Sequence, residues 1–547
     1  MNEPIVGKAS PEDTPEARSV RGPVALSLLA LSLGLLTEIL FYGHRPGISF
    51  FLLAAACCAV AVVAGRLERV RISRSTWLAV AGVLTASVAT FLRQEPLTVF
   101  LCLMLTFFFL ALTVRVFRFG RLGHFGWADL AVAFLWVPLE AWIRPWPVAG
   151  EAWSSTVHER GGRKVAFSVV RGVLLALPFL VIFIALLSAA DLVFGDFVER
   201  VLSWIDLDTL IDWTARSLVI LVSAVFFLGG LVAAVRSLAG RKLIGEDSPL
   251  IRPFLGFTET TIVLSLVLLV FLAFVGVQFA YLFGGEANID AAGYTYAEYA
   301  RRGFGELVAV ASLALGMIYL LASVTRLSTR RQRTAFVLLC GGVVLLVSVM
   351  LISAYQRLVL YEQAYGFSRL RTYTHVAIAW LAVALFVFLA VIVLGRLRQL
   401  APAAVLLTCG FTLNLVLVNV DAFIVDRNGD RYLASGDLDV DYLSSLSDDA
   451  IPGMVNLVPQ TEGQTAEEML AVLACRRRTI AALEARLQWP SAHASRTRAL
   501  ASLATIDGEL DAFPVTMDAN RTREWGWLSY EVQTSYGAKP CPATPLD

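Results

Sequence analysis

Eleven long apolar runs constrain the fold of this 547-residue chain more than any other feature. Each is near the roughly 20 residues that a helix needs to cross the hydrocarbon core of a bilayer. Charged residues make up only 16% of the chain, against about 25% in soluble domains, which excludes a soluble globular protein. We therefore predict an all-α fold, a polytopic transmembrane helical bundle. The runs lie at about 23–42, 48–65, 77–92, 97–114, 165–190, 214–239, 258–284, 304–325, 334–355, 373–395 and 402–420.

One further apolar segment, 125–142, is harder to classify. It contains Asp129, Pro138 and Glu140, and tryptophans lie within and beside it. Tryptophan favours the headgroup layer of a membrane. We interpret the segment as an interfacial or re-entrant element, and a twelfth span is the alternative.

The distribution of charge divides the chain into three regions. Residues 1–23 hold four prolines and charges of both signs, which is typical of a disordered leader. The polytopic domain then occupies 24–420, and a C-terminal domain occupies 421–547. Residues 1–420 carry 34 Lys and Arg and 25 Asp and Glu, a net charge of +9, whereas residues 421–547 carry 11 and 19, a net charge of −8. An acidic domain is not expected to bind nucleic acid, because phosphate recognition needs positive charge.

Basic residues in the loops predict the orientation of the chain. With eleven spans and a cytoplasmic N-terminus, 24 Lys and Arg fall on the cytoplasmic side and nine on the other, as the positive-inside rule requires. The C-terminal domain is then extracytoplasmic. Its two cysteines, Cys475 and Cys541, could form a disulfide in an oxidising compartment, and two unrelated thiols are the alternative.

The C-terminal domain is predicted to be small and mainly helical. Thr465 and Glu468 fit a capping box at the start of one helix, and a second helix is expected at about 495–505. The proline-rich end of the chain is expected to be irregular. The acidic run 437–449 is a poor match to a calcium-binding loop. Its first part, Asp437 through Asp441, is interpreted as capping and solvating a helix start around Tyr442–Leu446.

Ionisable residues near the span ends are the candidate functional residues, because charge is costly in a membrane. Glu38 lies late in the first span and is either solvated at the interface or an ion or substrate ligand. The loop before the tenth span carries two arginines that could hold an anion such as a lipid phosphate, and a histidine that could transfer a proton. The alternative is an interface belt in which these arginines pair with acidic residues. This cluster comprises Glu362, Arg369, Arg371, Tyr373 and His375.

We expect the cluster to dock against the junction where the last span ends, at Asn419 and Asp421. Only one short turn separates the last two spans, so they should be antiparallel neighbours with the loop and the junction at the same membrane face. The arginines should then face Asp421 and Asp426, and we expect Arg371 to couple to Asp421. Asn419 is expected to be an interhelical hydrogen-bond partner, as are Gln278 and Asn414. No metal or cofactor is expected, because the histidines are scattered and no nucleotide-binding motif is present.

Several ordered motifs resemble a bacterial family of membrane proteins known as domain of unknown function 4173, which is related to the 4153 group. The resemblance is densest from about 350 to 455. It implies a multi-span bacterial membrane protein, in the inner membrane, and it implies no reaction. The motifs that carry it are Glu38–Gly43 with Gly47–Phe50, Arg369–His375 with Trp380, Asn419–Ile424 with Asn428, Arg431 and Tyr432, and Gly436–Leu443 with Leu446, Ser447, Asp449, Ala450 and Pro452.

Three functions follow as hypotheses. We favour a non-enzymatic envelope protein whose exported domain interacts with the envelope or senses it, with the lipid bilayer and an anionic lipid or envelope component as partners. A transporter or lipid flippase is the alternative and requires a polar cavity near Glu38, Gln278, Glu306 or Asn414. A transferase acting on lipid-linked substrates at the outer face is the second alternative.

Overall fold

A computed structural model describes residues 22–118, 120, 122–158, 207–236, 253–282, 304–518, 527–541 and 544–545, with scattered positions between 176 and 197. The predicted leader lies outside the described residues up to residue 21. The predicted fifth span, 165–190, with its Arg171 and Pro178, also lies outside them except for those scattered positions.

Within the described residues, ten helices are long and apolar enough to cross a membrane. They correspond to all the predicted spans except 165–190, and they confirm the prediction of an all-α polytopic bundle. The helices are α1 (Pro23–Phe41), α2 (Ile48–Leu67), α3 (Arg74–Leu92), α4 (Pro96–Val116), α7 (Leu207–Arg236), α8 (Phe257–Leu282), α9 (Phe304–Val324), α10 (Arg330–Tyr365), α11 (Arg369–Leu394) and α12 (Leu400–Val418). Two shorter helices, α5 (Trp127–Ile143) and α6 (Pro145–His158), lie between α4 and α7.

The spans begin and end where the local sequence favours it. Ser73 accepts a hydrogen bond from the Thr76 N–H at the start of α3, which satisfies one of the free amides of the first turn. Thr329 caps α10 in the same way, with the side chain of Gln332 bonding back to complete a capping box. Gly395 ends α11 in the left-handed conformation, which glycine adopts without steric cost.

The bundle has two main regions of packing. Buried side chains of α8, α9, α10 and α11 form one core, which includes Leu264, Ile318, Val347 and Leu385. Leu26, Ala64 and Val232 belong to a second core formed by α1, α2, α6 and α7. Large apolar side chains on the outer surfaces of the spans remain exposed, as expected of helices that contact lipid.

The ambiguous segment 125–142 forms helix α5, which has only 17 residues. At its start, Asp129 pairs with Arg398 in the turn after α11, at 3.2 Å. Near its other end, Ala141 packs so closely against α7 that a Cβ on Gly229 would lie 1.8 Å from the Ala141 carbonyl oxygen. Both contacts lie towards the end of the bundle where α7 and α11 finish. This placement favours an interfacial or re-entrant helix over a twelfth span.

The C-terminal domain consists of short helices followed by strands. Its helices are α13 (Val420–Ser435), α14 (Val440–Ser444), α15 (Ile451–Leu457), α16 (Gly463–Glu484), α17 (Ala494–Leu503) and α18 (Asp507–Leu510). Strands β1 (Val515–Met517), β3 (Tyr530–Thr534) and β4 (Gly537–Pro540) form an antiparallel sheet in the order β1-β3-β4, and β2 (Trp527–Leu528) pairs with β5 (Thr544–Pro545).

Two expectations about this domain are wrong in detail. Helix α16 begins at Gly463, and its N-cap residue, Glu462, makes no side-chain capping bond; the predicted capping box at Thr465 is therefore inside the helix. The end of the chain is also less irregular than expected, because it forms strands β4 and β5. Each of these strands ends at a proline. Proline is tolerated at such short edge strands, where its missing N–H leaves no ladder bond unmade. The helix start near Tyr442 is capped as expected, by Asp439.

Candidate functional site: the junction between the bundle and the C-terminal domain

The C-terminal domain packs against one end of the bundle, which we call the tail-side end. It contacts three loops there: the α1–α2 loop at Gly47, the α3–α4 loop (Arg93–Glu95) and the α10–α11 loop (Gly366–Ser368). Buried residues of the domain such as Ile424, Leu443 and Met454 share one hydrophobic core with Leu415 of α12, and Leu97, Phe367 and Tyr373 pack against it. The junction is thus a packed interface rather than a tether.

The chain turns sharply into the domain at Asn419. This residue ends α12 and begins α13 in the left-handed conformation, with φ 54°, a conformation that asparagine tolerates better than most residues. Its side-chain oxygen is buried and bonds to none of the described residues. Among the described residues, Asn419 therefore acts through its backbone, and its side-chain oxygen does not make the expected interhelical hydrogen bond there.

Asp421, two residues later, is the centre of the first contact. Its fully buried carboxylate accepts two hydrogen bonds from Arg369, from Nε at 2.8 Å and Nη2 at 2.6 Å. The Ser447 amide donates a third at 2.8 Å. The backbone N–H of Arg369 donates to the Tyr442 hydroxyl at 2.7 Å. Such a two-pronged arginine–carboxylate pair fixes both position and angle.

Arg371 does not take part in that pair, contrary to our expectation. It donates instead to the carbonyls of Tyr365 and Gly366, and its guanidinium lies over the Tyr361 ring at 4.1 Å. Asp426, the other expected arginine partner, is exposed and makes no ion pair within the described residues. The docking of the loop on the junction is as expected, but its arginine is Arg369.

The α10–α11 loop is also held by its backbone. Asn428 of α13 accepts from the Phe367 N–H at 2.7 Å and donates to the Phe367 carbonyl at 3.0 Å. The preceding Gly366 has φ 74°, and a Cβ there would lie 2.6 Å from the Asn428 side-chain oxygen. Only glycine satisfies both demands, because it has no Cβ and adopts positive φ at no cost.

A second buried carboxylate, Asp449, holds the α3–α4 loop. It accepts from the Gln94 amide at 2.8 Å and from the Ser495 hydroxyl at 2.6 Å. The guanidinium groups of Arg93 and Arg498 lie 3.6 and 3.4 Å from it. Sequence reasoning missed this contact, because Asp449 was considered only as part of an acidic run that was compared with a calcium-binding loop. No local pattern links it to a loop more than 350 positions earlier.

Next to this contact, the side chain of His493 lies against the end of α3. Its Nε2 donates to the Thr90 carbonyl at 3.0 Å, and its Nδ1 accepts from the Ser495 amide at 3.3 Å, which requires the neutral ring with the proton on Nε2. Burial lowers the pKa of His493, because charging a desolvated imidazole is unfavourable. Sequence reasoning also missed His493.

Glu95 connects the α3–α4 loop to α11. It is buried, caps α4 by accepting from the amides of Leu97 and Thr98 at 2.7 and 2.8 Å, and also accepts from the Tyr373 hydroxyl. Tyr373 was a candidate residue, but Glu95 was not. The sequence did carry a signal for Glu95, because an acidic residue directly before a proline is typical of a helix N-terminus.

The remaining candidates form two separate groups. Glu362 of α10 is 2% exposed, and its Oε2 lies 3.3 Å from Nδ1 of His375. Glu38 of α1 is far from that pair and is bound instead by Arg216 of α7, at 2.9 Å. Arg216 also pairs with Asp212 at 2.7 Å. The hypothesis that Glu38 is simply solvated at the interface is therefore wrong.

The two cysteines of the C-terminal domain are joined. Cys475 of α16 and Cys541, which directly follows β4, form a disulfide with a Cα–Cα distance of 5.5 Å. Both side chains are buried, against Tyr530 and Val532 of the sheet. The bond connects the sheet at the end of the chain to the longest helix of the domain. Within the described residues, no group of three or more His, Cys, Asp or Glu side chains is arranged to hold a metal ion.

Comparison with known proteins adds a family but no activity. The family model described as Domain of unknown function (DUF4153) matches residues 78–457, more than two thirds of the chain. The match includes Asp421 and Asp449 with their partners Arg369 and Arg93. No curated protein and no solved structure matches the chain. The predicted relation to the 4153 group is confirmed, whereas the 4173 group is not what the match shows. This integral membrane protein, with its apolar spans and a packed C-terminal junction, belongs to the DUF4153 family.

Proposed function

We propose that the C-terminal domain is an extracytoplasmic interaction or sensing domain of a bacterial cell-membrane protein, and that the junction transmits its state to the spans. The N-terminus is then cytoplasmic. The motifs of the junction are also the basis for proposing that the chain lies close to the 4173 group within this set of families.

The observation that carries the proposal is the pair of buried carboxylates. Asp421 and Asp449 come from the C-terminal domain. Arg369 of the bundle and the Ser447 amide of the domain itself hold Asp421, whereas the Gln94 amide and Arg93 hold Asp449 at the tail-side end of the bundle. A force or ligand acting on the domain therefore acts on the ends of α3, α4, α11 and α12 together. Such packed contacts suit a sensor, because a change in the C-terminal domain can affect the spans only through elements that both parts share.

The arrangement gives less support to catalysis at the outer face. Arg369 and Asp421, two of the candidate functional residues at this face, neutralise each other in a buried pair. His375 faces Glu362 and contacts the ring edge of Tyr355. A transferase would need such groups to be directed towards a substrate cavity.

Lipid transport is the second candidate, and one observation favours it. A cavity of about 600 Å³ between α2, α4, α5 and α7 is lined by apolar side chains such as Phe50, Met104 and Phe227. Its size is within the range of ligand pockets, and its lining suits an acyl chain. The polar residues that a solute path would need are not among its lining residues. Gln278 is buried without a partner among the described residues, and Glu306 is exposed.

The proposal is tested by a topology reporter combined with cross-linking in cells. An enzyme active only outside the cytoplasm, fused after Asp547, should be active, and the same fusion at Arg330 should be inactive. The reverse result would overturn the proposed orientation.

A photoreactive amino acid at exposed Tyr536 should then give discrete adducts with an envelope component in intact cells. The matched control is the buried Leu443, from which we expect no adduct. If Tyr536 and other exposed positions of the domain gave none, the interaction function would be refuted, and lipid co-purifying with the protein would favour transport.

A further inference from the structure

The turn Trp489–Ser491 of the C-terminal domain lies against the membrane-embedded part of the bundle. The N–H of Ile48, the first residue of α2, donates to the Ala492 carbonyl at 2.9 Å. A Cβ on Gly47 would lie 2.6 Å from the same carbonyl oxygen. This part of the domain therefore approaches the start of a span at backbone-to-backbone distance.

The length of α2 indicates where that contact lies relative to the membrane. Its 20 residues extend about 30 Å, which equals the thickness of the hydrocarbon core. Arg66 lies in the last turn of α2, where its charge requires the opposite boundary. Ile48 is therefore at the hydrocarbon boundary on the tail side.

Helix α3 independently places this part of the domain at the hydrocarbon boundary. Helix α3 has 19 residues between Arg74 and Leu92, which also matches the hydrocarbon thickness. The Ser495 hydroxyl, which donates to Asp449, lies 3.0 Å from the Leu92 carbonyl oxygen, and Nε2 of His493 donates to the Thr90 carbonyl, further into the helix. The segment from Ala492 to Ser495 is thus fixed to the ends of two spans.

Trp489 lies one tight turn before this segment. The Ala492 N–H donates to the Trp489 carbonyl at 3.1 Å, so the two residues are separated by about 6 Å along a 3₁₀ turn. The headgroup layer on each side is about 5–7 Å thick. Trp489 is therefore close enough to the hydrocarbon boundary to lie in this layer. The Trp489 side chain is nevertheless 61% exposed to solvent, although it is among the side chains that favour this layer most.

The charges around Trp489 indicate which headgroups it meets. Arg486, three residues earlier, is exposed and has no ion pair within the described part of the chain. The neighbouring Glu484 is neutralised by Arg496 at 3.1 Å. The free charge beside the tryptophan is therefore positive and attracts anionic lipid.

We propose that Trp489 and Arg486 form a membrane-contact site of the C-terminal domain, in which Trp489 inserts into the headgroup layer and Arg486 binds the phosphates of anionic phospholipid. This contact adds a third restraint on the domain, beside Asp421 and Asp449. It goes beyond the proposed function and does not depend on which face of the membrane the domain occupies.

The test uses a fluorescent probe on the full-length protein in vesicles of phosphatidylethanolamine and phosphatidylglycerol. The five free cysteines are first replaced by alanine, and an NBD probe is attached at Trp489→Cys. Tyr536→Cys is the matched control, since Tyr536 is 63% exposed and lies in the hairpin that joins β3 to β4. Headgroup-nitroxide lipids should quench the probe at 489 strongly and the probe at 536 little. Equal quenching at both positions would overturn the proposal.

A second variant tests the lipid class. With spin-labelled phosphatidylglycerol and phosphatidylethanolamine as alternative quenchers, Arg486→Gln should weaken the preference of the 489 probe for the anionic lipid about fivefold. Arg427→Gln, an exposed arginine of α13 paired with Asp430, is the control and should leave the preference unchanged. An unchanged preference in Arg486→Gln would refute the role of Arg486. A reporter fusion that placed the domain in the cytoplasm would refute the proposed function but not this contact.

Discussion

Individual buried charges fix the C-terminal domain on the bundle. Asp421 and Asp449 are removed from water, and arginine, amide and hydroxyl groups of both the bundle and the domain replace the lost hydration. Removing one partner would leave an uncompensated charge in a medium of low dielectric constant. The consequences of single substitutions should therefore be large and specific to the pairs that the structure contains.

The pair Arg369–Asp421 should show direct energetic coupling. We expect Asp421→Ala to lower stability by about 3–5 kcal/mol, because it leaves Arg369 unpaired. A double-mutant cycle with Arg369→Ala, measured as thermal stability in detergent, should give a coupling energy above about 0.5 kcal/mol.

The control cycle for that prediction pairs Asp421→Ala with Arg371→Ala. Because Arg371 bonds to its own loop, its effect should be additive with that of Asp421 to within about 0.3–0.5 kcal/mol. Coupling in the control and additivity in the Arg369 cycle would contradict the arrangement at the junction.

His493 should make the stability of the junction depend on pH. Its pKa is lowered by burial, so the unfolded state binds the proton more readily and stability falls as the pH drops below the ordinary histidine value of about 6.5. Protonation of Nδ1 would also remove the acceptor that caps α17. The decrease in Tm between pH 7.5 and 5.5 should be smaller in His493→Gln than in the wild type. The same decrease in both proteins would exclude His493 as its source.

Among the secondary-structure elements, short loops between the spans determine which residues of the bundle contact the C-terminal domain. The α3–α4 loop has only three residues between its helices, and the α10–α11 loop likewise has three. Loops this short cannot move away from the span ends, so they present Arg93, Gln94 and Phe367 at fixed positions. At the end of the chain the disulfide joins the sheet to α16, beside the Lys539–Glu468 ion pair at 2.7 Å.

We expect the disulfide to stabilise the terminal sheet. It closes a loop of 66 positions, and a cross-link of that span contributes about 2–5 kcal/mol. Cys475→Ser should therefore expose β3 and β4 to rapid hydrogen exchange while the exchange of α13 is unchanged. In freshly isolated membranes, Cys475 and Cys541 should resist alkylation until they are reduced. Full labelling without reductant would show that the bond is absent.

In the described part of the chain, the membrane bundle and the C-terminal domain share a core. Leu415 at the end of the last span and Met454 within the domain belong to the same cluster of buried side chains. A shared core couples the stability of the two parts, because neither can unfold without exposing apolar surface of the other.

The wild-type protein should therefore unfold in detergent in a single transition of both parts. Combining Asp421→Asn with Asp449→Asn weakens both charged contacts and should separate the transition into two, observed by calorimetry or by hydrogen exchange. Asp507→Asn with Asp511→Asn, two carboxylates that pair with Arg477 on the exposed side of the domain, is the control and should keep one transition. Two transitions in the wild type would contradict the coupling.

The described spans and the helical character of most of the C-terminal domain could be predicted from the sequence alone. These features are local: whether twenty residues can enter lipid depends on their own side chains. The pairing of charges, in contrast, depends on the tertiary structure. Arg369 and Arg371 are two positions apart, about 200° around a helix, so only one of them can face Asp421, and the packing of α11 against α13 selects Arg369. Asp449 meets Gln94 across 355 positions, and no sequence pattern encodes that approach, because it results from the backbone turn at Asn419 and the shared core that follows it.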